Sequence, residues 1–404
     1  MSTFPASDRE RSASRILDAE AQKPFNLERD TVFRARLLKL GTEDHILFLN
    51  THHIASDGWS FGVLKRDLTI YYQAALDGTA VSLVPLPIQY ADYAIWQRKW
   101  LRGEVFEAQL AYWKSRLNGA PPVLTLPTDR PRPAVQTLRG AVHRVLLPDA
   151  IANRIRRLSQ REQATVFMTM LAAFKCLIVH YSDQPDVVIG TDVAGRNDVR
   201  SEDLIGFFVN LLVLRTDLSG NPSFEECISR ARETALGAYS HQDVPFDRVV
   251  EELRPKRSRA HYPLVQVLFS QRNTPQRIGT IPGLEMSTFE LGCNSIMDLY
   301  VSFADTPDGL ACVWVYNSDL FDAKTITRMA DLYRATLEET SANPGIRLDE
   351  LRSLLMKVER QRRQDEQREV RESVLETLNS AEHTNQVQRE LSYWEAESAP
   401  PASF

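Results

Sequence analysis

The sequence predicts an α/β fold, because strand and helix patterns alternate along most of its 404 residues. Extended stretches on either side of the turn "GTED", residues 41–44, predict an antiparallel pair within residues 24–53. From residue 141 onward, β-rich stretches alternate with helices as far as the proline and glycine at 344 and 345. A hydrophobic content of 43% is sufficient for substantial cores.

The first part of the chain is predicted to be largely helical around its strand pair. Val63, Leu64 and Leu68 recur at helical spacing before Gly78, which offers a C-terminal stop. Further helices are predicted over 13–24, 89–100 and 104–117. The proline-dense segment 118–140 is expected to connect two lobes.

The second part supplies the alternating elements. Ser223 and Glu226 have the spacing of a capping box, which predicts a helix from there to about residue 239. The other predicted helices are 149–162, 165–181, 245–253 and 322–345, and the predicted strands are 141–148, 186–193, 209–218, 263–271, 299–306 and 310–317.

The bulk properties disfavour several classes of partner. A formal net charge of -5 with both signs mixed gives no reason to expect nucleic acid or an anionic membrane. The cysteines, 4 in number and without a C-x-x-C motif, signal neither a zinc site nor a disulfide framework. The polar N-terminus is unlike a secretory signal, and no apolar run approaches the ~20 residues of a membrane span, so a cytoplasmic location is expected.

Residues 352–404 are expected to form a charged helical or disordered tail. Arginine, glutamine and glutamate dominate it, and a sustained heptad pattern is missing. A solvated helix or linker is therefore favoured over a coiled coil that binds a partner.

The segment "HHIASDG", residues 52–58, carries the most concentrated polar chemistry. Adjacent side chains on a strand point to opposite faces, so one ion is not easily bound by both His52 and His53, and a metal site is disfavoured. One histidine is then expected to be structural, and the other to project into a cavity and transfer protons. Asp57 could orient His53 or bond backbone and basic groups at the turn, and the latter is favoured.

Gly58 is interpreted in two ways: it permits a backbone conformation closed to other residues, or it allows close approach of a substrate. Other catalytic signatures are missing from the sequence, including G-x-S-x-G, a Walker-type loop and H-E-x-x-H. No cofactor is indicated. Alone, the histidine segment leaves catalytic and structural roles open.

Several separated stretches together resemble one family, the condensation domains of nonribosomal peptide synthetases, within the chloramphenicol acetyltransferase-like superfamily. The stretches that carry this resemblance are "HHIASDGWS" at 52–60, "YADYAIWQ" at 90–97, "LPTDRPRP" at 126–133, "VIGTDVAGR" at 188–196, "IGFFVNLLVLR" at 205–215, "HQDVPFDRVVEEL" at 241–253 and "RSRAHYPLVQVLFSQRN" at 257–273. Their order and spacing agree with the family from about residue 13 to about residue 345.

The resemblance implies two chloramphenicol acetyltransferase-like lobes in a V, with a tunnel between them that two carrier proteins reach from opposite sides. Residues 1–135 would be part of the N-terminal lobe and 136–351 the C-terminal lobe. The donor and acceptor are expected as thioesters on the phosphopantetheine arms of peptidyl carrier proteins. The acceptor amine attacks the donor thioester to form an amide bond, and the chain itself binds no cofactor.

The resemblance also assigns roles to residues. His53 matches the functional histidine, which accepts a proton from the attacking amine or positions it, and Gly58 would lie beside the reacting centre. His52 and Asp57 would support the site, and a cation from the C-terminal segment is expected to pair with Asp57. Arg257 is the preferred candidate for that cation, ahead of Arg259. Asn210 matches a tunnel-facing position, although a hydrogen-bonding role at a strand end is equally compatible with it.

Other motif residues are expected to be structural. Tyr90, Asp92 and Trp96 have helical spacing and are expected to pack and cap the first lobe. Residues 241–243 precede a predicted helix, where capping is the ordinary use of such residues.

The sequence departs from the family at its beginning, where the motifs S-x-A-Q-x-R-[LM]-W and R-H-E-x-L-R-T-x-F are not found. An incomplete first lobe is therefore expected, along with other synthetase modules, or a chain that supplies the missing segment, as additional partners. Two alternative functions follow: a free-standing acyltransferase of the same superfamily, and a carrier-docking remnant with impaired catalysis.

Overall fold

The computed structural model describes residues 6–256, 258–272, 281, 283–289, 291–368 and 371. The chain divides into two compact units, residues 1–347 and residues 348–404. All the strands named below belong to the first unit. The mixed α/β class predicted from the sequence is confirmed.

The first part of the larger unit is a strand pair accompanied by helices. Its elements are α1 (Ala6–Gln22), β1 (Phe33–Lys39), β2 (His45–Thr51), α2 (Gly58–Asp77), α3 (Tyr90–Trp100) and α4 (Gly103–Leu117). The strands β1 and β2 are antiparallel and in register from Phe33 opposite Thr51 to Lys39 opposite His45. The turn predicted at 41–44 therefore connects them.

Helix α2 has a local signal at each end. The Asp57 side chain accepts a hydrogen bond from the Ser60 amide and caps the N-terminus. At the other end Gly78 has φ +62°, in the left-handed region that glycine adopts without steric cost, and its N–H donates to the Ala74 carbonyl. These caps fix both ends of α2, so the short segment between β2 and α2 connects two well-defined elements.

The remaining strands form one mixed sheet, seven-stranded among the described residues, in the order β5-β4-β6-β8-β9-β3-β7. The strands are β3 (Arg139–Pro148), β4 (Asp186–Val193), β5 (Asn210–Asp217), β6 (Val267–Gln271), β7 (Cys293–Asn294), β8 (Leu299–Thr306) and β9 (Gly309–Asn317). β6 is parallel to both β4 and β8, whereas the other pairs are antiparallel.

Helices cover one face of this sheet and form the main core with it. They are α5 (Asp149–Arg161), α6 (Val166–Ser182), α7 (Phe224–Tyr239) and α9 (Ala323–Ala342), and a further helix, α8 (Phe246–Leu253), follows α7. Phe174 of α6 stacks on Phe269 of β6 at 4.9 Å between ring centroids and meets Trp314 of β9 edge-on. Alternate residues of the strands therefore point toward the helices, and the others point away from them.

The second unit begins with a helix over residues 348–368, in the arginine- and glutamate-rich segment. The rest of the predicted tail, apart from residue 371, lies outside the described residues. In the part of the chain that the structure describes, no single helix is long and apolar enough to cross a membrane. Only α5 and α6 taken together, bent by 105° at their junction, reach that length and hydropathy.

Candidate active site

The two histidines follow β2 directly and occupy different surroundings. The strand ends at Thr51, and a turn separates it from α2. His52 lies edge-on to Phe25, with 5.9 Å between ring centroids, and its Nδ1 accepts a hydrogen bond from the Ile54 amide. His53 lies edge-on to Phe207 at 5.1 Å. The structure thus separates the two rings, although they follow the strand rather than belong to it.

His53 is solvent-exposed, and a backbone carbonyl fixes its tautomer. Its Nδ1 lies 2.6 Å from the Ser56 carbonyl oxygen. A carbonyl only accepts, so Nδ1 carries the proton and donates it to Ser56. In the neutral imidazole the lone pair is then on Nε2, which is the atom that can accept a proton from a substrate.

Asp57 is buried and every part of its carboxylate is used. Oδ1 accepts from the Ser60 amide at 2.8 Å, from the Ser60 hydroxyl at 2.7 Å and from Arg196 Nη2 at 3.1 Å. Oδ2 accepts from the Phe208 amide at 3.0 Å. These bonds favour the structural role predicted for Asp57 over the orientation of His53, whose Nδ1 is held by Ser56.

Among the described residues the cation that pairs with Asp57 is Arg196 and not Arg259, whereas the choice of Arg257 stays a prediction. Arg257 itself lies outside the described residues, and the carboxylate already has the donors just named. Arg196 follows β4, and its left-handed neighbour Gly195, at φ +65°, lies so close to the Phe208 carbonyl that a Cβ would collide with it. The backbone course after β4 therefore brings Arg196 to the turn that follows β2.

Arg196 is held by the loop that contains its own neighbours in sequence. Its Nη1 donates to the carbonyl oxygens of Ser201 and Leu204, at 2.5 Å and 2.9 Å, and its guanidinium carbon lies 4.0 Å from the centroid of the Phe208 ring. Burial lowers the pKa of the Arg196 guanidinium, and the charge of Asp57 opposes that shift. The pair is therefore a desolvated ion pair with additional hydrogen bonds.

The loop over residues 202–208 is hydrogen-bonded to the first turn of α2. Trp59 Nε1 donates to the Glu202 carbonyl at 2.8 Å. The Ser60 hydroxyl oxygen accepts from the Gly206 amide at 3.1 Å and lies 2.9 Å from the Gly206 carbonyl oxygen, while its single hydrogen is directed to Asp57. Phe207, which contacts His53, is thereby placed by the same residues that cap α2.

Gly58 is the first residue of α2 and is exposed. Its φ is not positive, so the expectation of a backbone conformation closed to other residues is wrong. A Cβ at this position would meet nothing within 4 Å, which leaves open space beside the backbone. The first N–H groups of a helix have no intrahelical acceptor, and of these the Ser60 amide is taken by the capping Asp57 side chain.

Asn210 hydrogen-bonds within the protein through both ends of its amide. Nδ2 donates to the carbonyl oxygens of Gln242 and Val244, at 2.7 Å and 2.9 Å. Oδ1 accepts from the amides of Leu211 and Phe246, at 2.9 Å and 3.0 Å. These bonds support the strand-end interpretation of Asn210 over the tunnel-facing one.

The other motif residues are structural, with two differences from expectation. Asp92 completes a capping box with Gln89, as predicted, but Tyr90 packs on Gly206 and donates to the Phe207 carbonyl at 2.9 Å. It therefore buttresses the loop beside His53. His241 does not cap α8, whose N-cap is Pro245 without a side-chain bond, and instead stacks on Tyr112 at 3.9 Å.

Sequence reasoning missed Arg196, Ser56 and Phe207 as contributors to the site. Arg196 and Phe207 both lie in stretches that carry the family resemblance, "VIGTDVAGR" and "IGFFVNLLVLR", but the resemblance assigns them no role. Among the described residues, no group of three or more histidine, cysteine, aspartate or glutamate side chains is placed to hold a metal ion.

Comparison with known proteins gives consistent results across sequence and structure. The family model for the condensation domain matches residues 1–364. One of the linear gramicidin synthase proteins of Brevibacillus parabrevis is 45% identical over 344 residues, which is 84% of this chain and 4% of that protein. This chain therefore spans a small part of the length of that relative.

Two solved structures are similar in fold. The X-domain from teicoplanin biosynthesis, also solved in complex with OxyB, superposes with a TM-score of 0.78 at 29% identity, over 84% of this chain and 79% of the X-domain chain. The four-domain nonribosomal peptide synthetase AB3403 gives a TM-score of 0.72 at 25% identity, over 85% of this chain and 27% of that one. With its histidine motif, its α/β fold and these matches, the chain belongs to the condensation domain family.

Proposed function

We propose that this chain forms an amide bond between a carrier-bound aminoacyl or peptidyl thioester donor and a carrier-bound aminoacyl acceptor. The observation that carries the proposal is the state of His53: an exposed imidazole with its Nδ1–H fixed on the Ser56 carbonyl at 2.6 Å. Its Nε2 lone pair is available to a substrate, as general-base chemistry requires.

The proposed reaction is aminolysis of a thioester. The acceptor amine attacks the donor carbonyl carbon, a C–N bond forms and the C–S bond to the donor arm breaks. His53 Nε2 accepts the proton lost by the amine, or positions the amine, and this same proton finally protonates the departing thiolate. The open space at Gly58, beside the first N–H groups of α2, supports a place there for the oxygen on which negative charge develops.

The similar proteins support the class of substrate and partner. AB3403 is a nonribosomal peptide synthetase of four domains, and the relative from Brevibacillus parabrevis belongs to a synthase of linear gramicidin. We extend this to peptidyl carrier proteins as donor and acceptor partners, phosphopantetheine thioesters as substrates and a cytoplasmic location. Residues 1–135 and 136–351 as two lobes in a V, with 352–404 as a tail, belong to the same proposal.

A second candidate is a docking module without catalysis, and the likeness to the teicoplanin X-domain favours it. That domain is solved in complex with OxyB, which shows that this fold can serve as a binding platform in that system. The geometry at His53 favours the catalytic proposal, because a docking module needs no exposed imidazole of fixed tautomer.

The experiment that tests the proposal is condensation between two loaded carriers. The purified chain is mixed with a donor carrier and an acceptor carrier, each bearing an aminoacyl-phosphopantetheine, and the carriers are analysed by mass spectrometry for the dipeptidyl product. His53→Ala is the test variant, and His45→Ala, which removes an exposed histidine at the start of β2, is the matched control. A parallel reaction with an acyl-CoA donor addresses the free-standing acyltransferase.

We expect product from the wild type and from His45→Ala, with a loss of about 10²–10⁴-fold in His53→Ala. Equal product from His53→Ala and the wild type would refute the role of His53. Binding of carriers without product from any form would favour the docking module. Product only from the CoA donor would favour the free-standing acyltransferase.

A further inference from the structure

The imidazole of His53 is exposed, yet two groups of the protein contact it at different points. Its Nδ1 lies 2.6 Å from the Ser56 carbonyl oxygen. Its ring lies edge-on to Phe207, with 5.1 Å between the ring centroids and an angle of 88° between the planes. This separation is within the range of about 4.5–7 Å that aromatic pairs prefer. The Ser56 bond fixes the proton on Nδ1, whereas the Phe207 contact acts on the plane of the ring.

One hydrogen bond is a weak restraint on an exposed imidazole. The torsion about the Cβ–Cγ bond of histidine is broad, and exposed side chains change rotamer within picoseconds to nanoseconds. Opening of the bond to Ser56 would let the ring turn and carry Nε2 away from its position. A second contact on the same ring narrows this motion, because both contacts must be lost before the ring can turn.

The backbone around Phe207 is held at three successive residues. The amide of the preceding glycine donates to the Ser60 hydroxyl at 3.1 Å, and the carbonyl of Phe207 accepts from the Tyr90 hydroxyl at 2.9 Å. The amide of Phe208 donates to Asp57 Oδ2 at 3.0 Å. These bonds reach the cap and first turn of α2 and the first residue of α3. Phe207 and the turn that carries the histidines are therefore fixed to the same helix end.

Phe207 differs from its neighbour Phe208 in what its side chain does. Phe208 is 6% exposed, and its ring packs on Tyr90 and Tyr93 at 5.1 Å and 4.7 Å between centroids. Phe207 is 41% exposed, and among the described residues its one ring–ring contact is with His53. An exposed ring contributes little to the burial of apolar surface. The imidazole that it contacts therefore explains the position of the Phe207 side chain better than the core does.

The orientation of the imidazole matters for the proposed reaction. Nε2 of His53 must come within about 2.6–3.2 Å of the acceptor nitrogen whose proton it takes. A misplacement of about 1 Å at a reacting group can lower a rate by about 10²-fold. A neighbouring ring that narrows the orientations of the imidazole therefore raises the fraction of molecules in which Nε2 is correctly placed.

We infer that Phe207 is a positioning residue for His53, an inference that rests on the proposed function. Its ring holds the imidazole in the orientation that presents Nε2 to the acceptor amine, while the Ser56 carbonyl holds the proton on Nδ1. Phe207 itself takes no proton and forms no bond in the reaction. Its removal should therefore lower kcat, which depends on the placement of Nε2, and leave KM for the acceptor carrier nearly unchanged.

The first measurement reads the imidazole without any turnover. The full chain is labelled with ¹³C and ¹⁵N in histidine, and the ring signals of His53 are identified as those that disappear in His53→Ala. The variants are Phe207→Ala, Phe207→Leu and Phe207→Tyr, with melting temperatures to verify folding. Val199→Ala is the matched control, because it removes an apolar side chain, 80% exposed, from the same connection between β4 and β5. The signals of His52, which lies against Phe25, are an internal reference.

The spectra are compared at a pH where the imidazole is neutral. In the wild type, Phe207→Tyr and Val199→Ala, we expect the ring protons of His53 to be displaced by the neighbouring aromatic ring and the ¹⁵N shifts to be those of a single tautomer. In Phe207→Ala and Phe207→Leu, the proton signals should move toward those of an unrestrained histidine, and the ¹⁵N shifts toward the average of two tautomers. The signals of His52 should stay in place in every form.

The second measurement is dipeptide formation at several concentrations of the loaded acceptor carrier, which separates kcat from KM. We expect Phe207→Ala and Phe207→Leu to lower kcat by about 10–100-fold, with KM within about twofold of the wild-type value. Phe207→Tyr keeps the ring, so it should retain the wild-type kcat, as should Val199→Ala.

Unchanged ring signals of His53 in Phe207→Ala would overturn the inference, and so would changed signals with an unchanged kcat. A higher KM at the wild-type kcat would also overturn it, because Phe207 would then bind substrate instead of placing His53. Failure of Phe207→Tyr to retain kcat would do the same. Changed ring signals without dipeptide from any form, the wild type included, would refute the proposed function alone, because the orientation of the imidazole is measured without turnover.

Discussion

The Asp57 carboxylate and the Arg196 guanidinium form an ion pair with 3.1 Å between Oδ1 and Nη2, and their side chains are 3% and 1% exposed. The pair joins the cap of α2 to the loop after β4, across 139 positions of sequence. The imidazole of His53 is hydrogen-bonded to the Ser56 carbonyl and to neither member of the pair, so the pair supports the turn that carries His53 without bonding to its ring.

Asp57→Ala is expected to destabilise the protein by about 3–5 kcal/mol, because it leaves Arg196 buried without its countercharge. It also removes the cap of α2 and an acceptor for the Phe208 amide. Urea unfolding and the yield of soluble protein measure the effect. Wild-type stability combined with lost turnover would contradict the structural role and point to direct participation in catalysis.

The double variant Asp57→Ala/Arg196→Met is expected to be less destabilised than the sum of the two single variants, because the second change removes the uncompensated charge. The coupling free energy from a double-mutant cycle is the measured quantity, and we expect about 0.5–3 kcal/mol. Additive effects would show that the two side chains stabilise the protein independently.

The local parts of this fold could be predicted, because their causes lie within a few residues. The Ser223 and Glu226 spacing predicted a capping box, and both of its hydrogen bonds are present. The turn at 41–44 sets the register of β1 and β2 in the same way. Alternation and helical spacing likewise predicted most strands and helices close to their observed bounds.

The partner of Asp57 could not be predicted from local pattern. Arg196, Arg257 and Arg259 are chemically identical, and only the path of the backbone past Gly195 and Phe208 selects Arg196. The tautomer of His53 has a similar origin, since it depends on where the Ser56 carbonyl points after β2 ends. Resemblance to a family supplied the role of His53, but not the atom that fixes its proton.

Gly58→Ala is expected to keep or slightly raise stability while lowering turnover by about tenfold or more. A methyl here meets nothing within 4 Å, and alanine favours a helix over glycine by up to about 1 kcal/mol. The methyl would occupy the space proposed for the reacting centre, where small displacements are costly. Melting temperature and dipeptide formation are measured together, and unchanged turnover would remove Gly58 from the site.

Gly206→Ala, in contrast to Gly58→Ala, is expected to destabilise the protein by about 1–3 kcal/mol because of overpacking. A Cβ at this position would collide with the ring of Tyr90. Urea unfolding of Gly206→Ala, alone and combined with Tyr90→Ala, provides the measurement. The collision is absent from the double variant, so a loss there equal to the sum of the single losses would show that another contact is responsible.

Lys175→Met is expected to change how stability depends on pH. Lys175 is 0% exposed on α6, and its ammonium donates to the Leu214 carbonyl at 2.8 Å and to the Thr216 hydroxyl at 2.5 Å. Burial, and secondarily the charge of Arg116, lower the pKa of Lys175 well below its ordinary value of 10.5, against a smaller opposing effect of Asp186.

The sign follows from proton linkage. Between the lowered pKa of the folded protein and 10.5, the unfolded chain binds more protons at this residue, so the free energy of unfolding rises with pH. One proton contributes a slope of up to about 1.4 kcal/mol per pH unit. Lys175→Met lacks this contribution, so the stability of the wild type relative to the variant should increase as pH rises through that window. Urea unfolding at several pH values measures it, with Lys114→Met, at an exposed ion pair with Glu252, as the control. Parallel curves for the wild type and Lys175→Met would show that burial does not perturb the lysine in the folded protein.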